Sequence, residues 1–359
     1  MFHFIENIDE VSKFFEGKGV KDMQFDVIIG NPPYQENDGG GKGSNAIPLY
    51  NKFVQQAFVL NPKYITMIIP SRWYAGGRGL DDFRNNMLSD KRIRYLYDFY
   101  DATKCFPGID LSGGVCYFLW DRDNAGDCKI ITNNSIVGES KMNRLLKDDE
   151  TNMFIRLNDA IPIINKIRKF NEPCFSKLVA VYNPFGLSMT VKPLKEKSQN
   201  TVKLYAYPEH GFIAKNDIKN NIDAVSKWKV FVSKAYGERG DFPYLCLGKP
   251  FVGEPDSCSS VTYLLISPTD SKLQAENVAK YMRTKFFRFL VLQLKNTQNA
   301  TSKTFSLAPV QDFDKEWTDE KLYKKYGLSS EEIELIESMV RPMDTKNTNT
   351  ELTMDTDDE

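Results

Sequence analysis

The chain is poor in the residues that most often carry acid–base and metal chemistry. Its 359 residues include two histidines, His3 and His210, too few for a histidine-rich zinc set or a histidine-driven proton relay. Six cysteines, at 105, 116, 128, 174, 246 and 258, are scattered without a Cys-x-x-Cys pair. That spacing speaks against a thiolate metal site and for buried, reduced thiols. No apolar run reaches about 18 residues, so no membrane span is expected. The opening "MFHFIENIDE" carries acids where a secretion signal carries positive charge, which makes the cytoplasm the expected location. There is no internal repeat, and no Asp…Glu-x-Lys cluster of the kind a nuclease uses.

What is present fits a folded chain of about two domains. Net charge is −1, but residues 344–359 hold six acids and one lysine, leaving +4 on residues 1–343. That acidic tail has almost no apolar content and is expected to be disordered. Residues 277–311, in contrast, contain Lys280, Arg283, Lys285, Arg288, Lys295 and Lys303 and no acid. Nucleic-acid contact needs a local basic face, and this stretch is either one or an ordinary solvated helix surface.

Residues 25–121 alternate short apolar runs with amphipathic stretches. "FDVII" (25–29), "KYITMIIP" (63–70), "IRYLYDFY" (93–100) and "GVCYFLWD" (114–121) predict strands, the first of them buried. "AIPLYNKFVQQAFVL" (46–60) and "LDDFRNNMLSD" (80–90) predict helices between them. This pattern predicts an α/β fold, a partial doubly wound sheet that is largely parallel and covered on both faces. Residues 126–170 read as a connector, with "NNSIVGES" as loop and "AIPIINKIRKF" (160–170) as helix. Residues 171–310 read as a mixed α+β domain, and 318–340 as two short helices stopped and capped by Gly327 and Ser329.

The chemistry is concentrated in "FDVIIGNPPYQ" (25–35). In doubly wound sheets, ligands sit beyond the carboxyl ends of strands, and here a strand ends directly in Asn31-Pro32-Pro33-Tyr34. Such a turn suits methyl transfer to an exocyclic amine, whose lone pair is delocalised into its ring. Two acceptors aimed at the two N–H bonds favour the pyramidal nitrogen that can attack. The Asn31 side-chain oxygen and the Pro32 carbonyl can be those acceptors, held rigid by proline's fixed φ. Tyr34 offers a flat face for the base, so rate would come from positioning and fixed dipoles.

"FDVIIGNPPY" resembles the catalytic motif of S-adenosylmethionine-dependent amino-methyltransferases, above all the adenine-N6 DNA methyltransferases of restriction–modification systems. "MIIPSRWYAGGRGLDDFR" (67–84) is similar to the strand–turn–helix that follows in the gamma-class enzymes. "KCFPGIDLSGGVCYFLWD" (104–121) resembles the motif whose Phe-Pro supplies a second aromatic, a role the match carries to Phe106 opposite Tyr34. The likeness to the type IIG-like methylase branch is strong over 25–121 and loose beyond. It implies duplex DNA as partner, extrusion of the target adenine, and a target-recognition domain in 171–310. Candidate DNA contacts are Lys42 in the glycine-rich "ENDGGGKGSN" (36–45), Arg72 and Arg78 after the second strand, and Gln298, Asn299 and Lys303 in the amide-rich stretch 292–307.

The sequence departs from the family at the cofactor motif. The Phe-x-Gly-x-Gly turn expected before the catalytic motif is not present, and neither Gly39–Gly41 nor "YAGGRG" (74–79) has the helix-opening context of a nucleotide fingerprint. The expectation is therefore the catalytic and recognition part of a methyltransferase, with its cofactor half supplied by a second polypeptide or lost. The isolated chain should bind S-adenosylmethionine poorly, and self-association could cover the exposed sheet edge. Three alternatives stay open: cytosine-N4 methylation, methylation of protein glutamine amides, and a non-catalytic DNA-binding remnant or specificity subunit.

Overall fold

A computed structural model of the chain describes residues 25–343 except 36–46, 78, 109–110, 112, 181, 238–241 and 296. The expected acidic tail and the glycine-rich 36–45 segment therefore lie outside the described residues. Two compact units are found. Unit 1 comprises residues 1–176, 237–242 and 290–310, and unit 2 comprises 177–236, 243–289 and 311–359. The chain thus returns to unit 1 twice after first leaving it.

Unit 1 is built on one six-stranded sheet. Its strands are β1 (Val27–Gly30), β2 (Tyr64–Pro70), β3 (Ile93–Phe99), β4 (Val115–Asp121), β5 (Cys128–Asn134) and β6 (Gly138–Arg144), in the order β1-β2-β4-β3-β5-β6. Helices α1 (Tyr50–Val59) and α2 (Asp81–Ser89) precede β2 and β3, and α3 (Ala160–Arg168) follows β6. The fold is mixed α/β as expected, but the sheet is not largely parallel. β1 with β2 and β3 with β5 are parallel, while β4 runs antiparallel to both its neighbours, as β6 does to β5. A parallel partner needs a crossover helix, and the described residues between β3 and β4 form only a short 3-10 turn, Ala102–Lys104. "NNSIVGES" is also corrected. Asn134 ends β5, Gly138 opens β6, and residues 126–170 extend the sheet where a connector was expected.

The two faces of this sheet differ. On one, Ile65, Met67 and Ile69 of β2, Leu96 of β3 and Cys116, Phe118 and Trp120 of β4 are buried with Tyr50, Val54 and Ala57 of α1 and Phe83, Met87 and Leu88 of α2. This is the 3.6-residue stripe of each helix meeting the two-residue alternation of each strand. On the other face the register sets Ile68, Tyr117 and Tyr97 in one row and Ile29, Thr66, Leu119 and Tyr95 in the next. Most of these side chains are half-exposed, and Tyr97 stacks on Phe99 and on Tyr117 at 4.4 and 5.2 Å. At the β1 edge Val27 and Ile29 are 47% and 78% exposed. The expectations of a sheet covered on both faces and of a buried first strand are not met over β1 to β4, where this face is half-exposed or exposed, although Ile131 of β5, in the Tyr97 row, is buried.

Unit 2 holds two three-stranded sheets. One is β11-β7-β8, from β7 (Thr201–Tyr205), β8 (Gly211–Ala214) and β11 (Ser257–Ser259). The other is β10-β9-β12, from β9 (Trp228–Ser233), β10 (Phe251–Gly253) and β12 (Tyr263–Thr269). They share a core of Phe185, Val202, Leu204, Ile213, Phe231 and Leu265. The two expected terminal helices form at Asp319–Tyr326 and Ser330–Met339, with Gly327 left-handed at φ +59° and Ser329 in a capping box with Glu332. No helix among the described residues is long and apolar enough to cross a membrane.

Candidate functional site

Three strand ends meet at one edge of the unit 1 sheet. β1 stops at Gly30, β2 stops at Pro70 opposite Val115, and β3 stops at Phe99 opposite the same Val115. Asn31–Tyr34, the 3-10 turn Ser71–Ala75 and the turn from Tyr100 to Phe106 all issue from this edge. Asn31 is exposed, Pro32 is buried, and Pro33, Tyr34 and Phe106 are half-buried. Downstream, the Tyr34 carbonyl accepts the Leu49 N–H at 3.2 Å and Gln35 bridges to Pro48, which ties the turn to the entry of α1.

The ring of Tyr34 is partly accessible, but its hydroxyl is enclosed and makes no hydrogen bond. Burial, followed by the Cys116 and Cys105 thiols, pushes its phenol up to about 12, so it stays neutral at physiological pH. Tyr50, 2% exposed, also has an enclosed hydroxyl with no hydrogen-bond partner, and burial raises its phenol further. Arg72, exposed in the 71–75 turn, acts on it in the opposite direction.

A buried polar knot holds these turns. Asp98, fully buried on β3, accepts from Ser71 Oγ at 2.8 Å and Tyr74 OH at 3.1 Å. Arg156 closes on the same carboxylate through Nε at 2.5 Å and Nη2 at 3.0 Å, and its guanidinium lies 3.8 Å from the Tyr100 ring centroid. Ser71 N–H donates to the Gly114 carbonyl at 3.0 Å. Gly114 has φ +79°, and a Cβ there would come within 2.0 Å of the Phe99 carbonyl oxygen, so only glycine fits. A buried carboxylate is tolerable only when fully paired, and this one has four donated hydrogen bonds.

The sequence reading did not identify Tyr50, Ser71, Tyr74, Asp98 or Arg156. Asp98 carried a local signal, since a carboxylate inside "YLYDFY" requires a buried partner. Arg156 lies 58 residues away and carried none.

Gln298, Asn299 and Lys303 are exposed and belong to the 290–310 stretch of unit 1, the same compact unit as Asn31–Tyr34. Gln298 packs on Gly237, where a Cβ would meet its Cγ at 2.8 Å. Lys42 and Arg78 lie outside the described residues. The basic stretch that framed these choices is largely neutralised. Arg283 and Arg288 are buried on backbone carbonyls, Arg283 on Pro250 and Arg288 on Leu245 and Arg341, while Lys280 pairs with Glu316 and Lys285 with Glu337.

The glycine turn at 74–79 offers an anion no place among its described residues. The "YAGGRG" turn does open a helix, contrary to expectation, but Arg84 Nη1 donates to the Ala75 carbonyl at 3.0 Å. Arg84 and Asp81 already occupy the space beside Gly76, and Asp81 and Asp82 in the first helical turn disfavour an anion. Of the cysteines, Cys116, Cys128, Cys246 and Cys258 are buried and Cys105 and Cys174 half-buried, all free.

Asn31-Pro32-Pro33-Tyr34 thus follows directly on the carboxyl end of β1 in a mixed α/β sheet. Residues 2–106 match the family model described as Eco57I restriction-modification methylase, so this stretch of the chain is similar to that family. A curated relative from Mycoplasma pneumoniae (strain ATCC 29342 / M129 / Subtype 1), described as an uncharacterized adenine-specific methylase, is 37% identical over 170 residues. That alignment covers 46% of this chain and 39% of the relative, so the chain spans about two-fifths of the relative it matches. Among solved structures, the type IIG restriction endonuclease BpuSI is 10% identical, over 89% of this chain and 50% of that one, with a TM-score of 0.35. A nuclease-deletion mutant of the Type ISP restriction-modification enzyme LlaGI, in complex with a DNA substrate mimic, is 10% identical over 84% and 35%, with a TM-score of 0.46. These two likenesses are too loose to carry weight.

Proposed function

We propose that this chain is the base-binding and DNA-recognition part of a site-specific DNA methyltransferase that acts on adenine N6. The observation that carries this reading is the rigid Asn31–Tyr34 turn at the shared edge of β1, β2 and β3, within the stretch that matches the methylase family model. Asn31 Oδ1 and the Pro32 carbonyl oxygen accept the two amino hydrogens of an extruded adenine. The nitrogen's lone pair is thereby turned out of conjugation, towards the incoming carbon. Tyr34 and Phe106 flank the base. Extrusion costs a few kcal/mol, and stacking on aromatic rings returns about 1–3 kcal/mol per base. The neutral Tyr34 phenol adds no charge that would repel nearby phosphates.

S-adenosylmethionine is the methyl donor that the resemblance implies. The half-exposed aromatic face around Tyr97, Tyr117 and Ile68, with Ile29 at its edge, supports covering by a second polypeptide, the one that brings the donor, or by a second copy.

Modified-base sequencing of DNA from cells expressing the chain with its neighbouring reading frames separates these readings. N6-methyladenine at one sequence is expected, and Asn31→Ala should lower methylation at least 100-fold, about the loss of one fixed transition-state acceptor or donor. Methylation at cytosine, or none with any partner, overturns the proposal.

A further inference from the structure

Positive charge that is free to act lies elsewhere than the sequence suggested. Residues 177–236 of unit 2 contain ten lysines, no arginine and four carboxylates, a net of +6. Lys203, Lys215 and Lys227 pair with Glu254, Asp256 and Asp270, and Lys229 is fully buried. Lys177, Lys192, Lys195, Lys197 and Lys219 are exposed, and among the described residues none has a carboxylate within ion-pair distance. Lys234 lies 3.9 Å from the ring centroid of Tyr182, which is itself 70% exposed.

Three of these lysines fall on one rim. Leu194 pairs with Phe212 of β8 through two backbone hydrogen bonds, at 2.8 and 2.9 Å, and the segment carrying Lys192, Lys195 and Lys197 runs along that edge. The backbone is therefore fixed while the three ammonium groups extend into solvent. Leaving five lysines unpaired on one small unit raises self-repulsion, and a polyanion relieves it.

The absence of arginine decides the kind of contact. An ammonium is a point charge suited to phosphate, whereas paired recognition of guanine edges favours the guanidinium fork. We propose that the lysine surface of residues 177–236, with Lys192, Lys195 and Lys197 at its centre, grips the phosphate backbone of duplex DNA without reading sequence. This deepens the methyltransferase reading and rests on it. Base selection then falls to other residues.

The test measures duplex binding by the full-length chain over a salt series, using several unrelated sequences, for the wild type and for Lys192→Ala/Lys195→Ala/Lys197→Ala. Each phosphate contact contributes about 0.9 to the slope of log affinity against log salt. The triple variant should therefore lose about 2–3 from that slope, equally on every sequence. A fourfold rise in salt should then weaken the wild type up to about 40-fold more than the variant. The triple Lys→Arg variant should keep the wild-type slope, which guards against a folding artefact. An unchanged slope in the alanine variant, or a loss confined to one sequence, overturns this proposal alone. A wild type with no salt-dependent duplex binding overturns the DNA reading as well.

Discussion

Two basic stretches, 277–303 and 177–236, differ more in the fold than in the sequence. The first has six cations and no acid, yet Arg283 and Arg288 are buried and Lys280 and Lys285 are paired. The second is diluted by four acids but keeps five lysines exposed and unpaired. In the first, positive charge serves architecture, with guanidinium groups donating to backbone carbonyls. In the second it faces solvent. Charge counted along a chain therefore says little about charge presented on a surface.

The sharpest way to break this contrast is Arg288→Ala. Arg288 is fully buried and donates through Nη1 to the carbonyls of Leu245 and Arg341 at 3.1 and 2.9 Å. Its removal leaves a cavity and deletes both hydrogen bonds and should cost about 3–4 kcal/mol in urea unfolding. A loss below about 1 kcal/mol would mean that the buried guanidinium is not structural.

A second test uses the one lysine of the exposed stretch that is fully buried. Lys229 donates to the Ala224 and Val225 carbonyls at 2.8 Å each, and burial lowers its pKa to about 8 from the ordinary 10.5. The unfolded chain holds this proton more tightly, so stability must rise with pH between those two values. Relative to Lys229→Met, the wild type should gain about 2–3 kcal/mol from pH 7.5 to 10.5. A pH-independent difference would show that the ammonium is solvated in the folded protein.

The smallest effect is expected from Lys192→Ala/Lys195→Ala/Lys197→Ala on unfolding, within about 0.5 kcal/mol of wild type. Thermal denaturation checks it. A clear destabilisation would place these lysines with Arg288 as structural, and the two stretches would then not differ in kind.

Much of unit 1 was legible. Strands expected at 63–70, 93–100 and 114–121 appear at Tyr64–Pro70, Ile93–Phe99 and Val115–Asp121, because the alternation of apolar residues marks a strand wherever one face is buried. The strand at 25–29 was found but misjudged, since Val27 and Ile29 lie on the open face of an edge strand. β6 was missed because Glu139, Lys141 and Asn143 are exposed and give no apolar period. At the site, Asn31–Tyr34 was legible as one contiguous motif. Asp98 and Arg156 were not, since their pairing depends on how β3 meets a segment 58 residues later.

By itself the sequence determined which acceptor groups the Asn31–Tyr34 turn carries, because proline's φ and the adjoining amide act over a few bonds. It also determined the helices and strands whose periodicity a single face imposes. Only the tertiary structure decided strand direction, the open aromatic side of the sheet, and which cations are buried, paired or free. Those depend on contacts between residues far apart in the chain, where burial and pairing, rather than residue type, fix what a side chain can do.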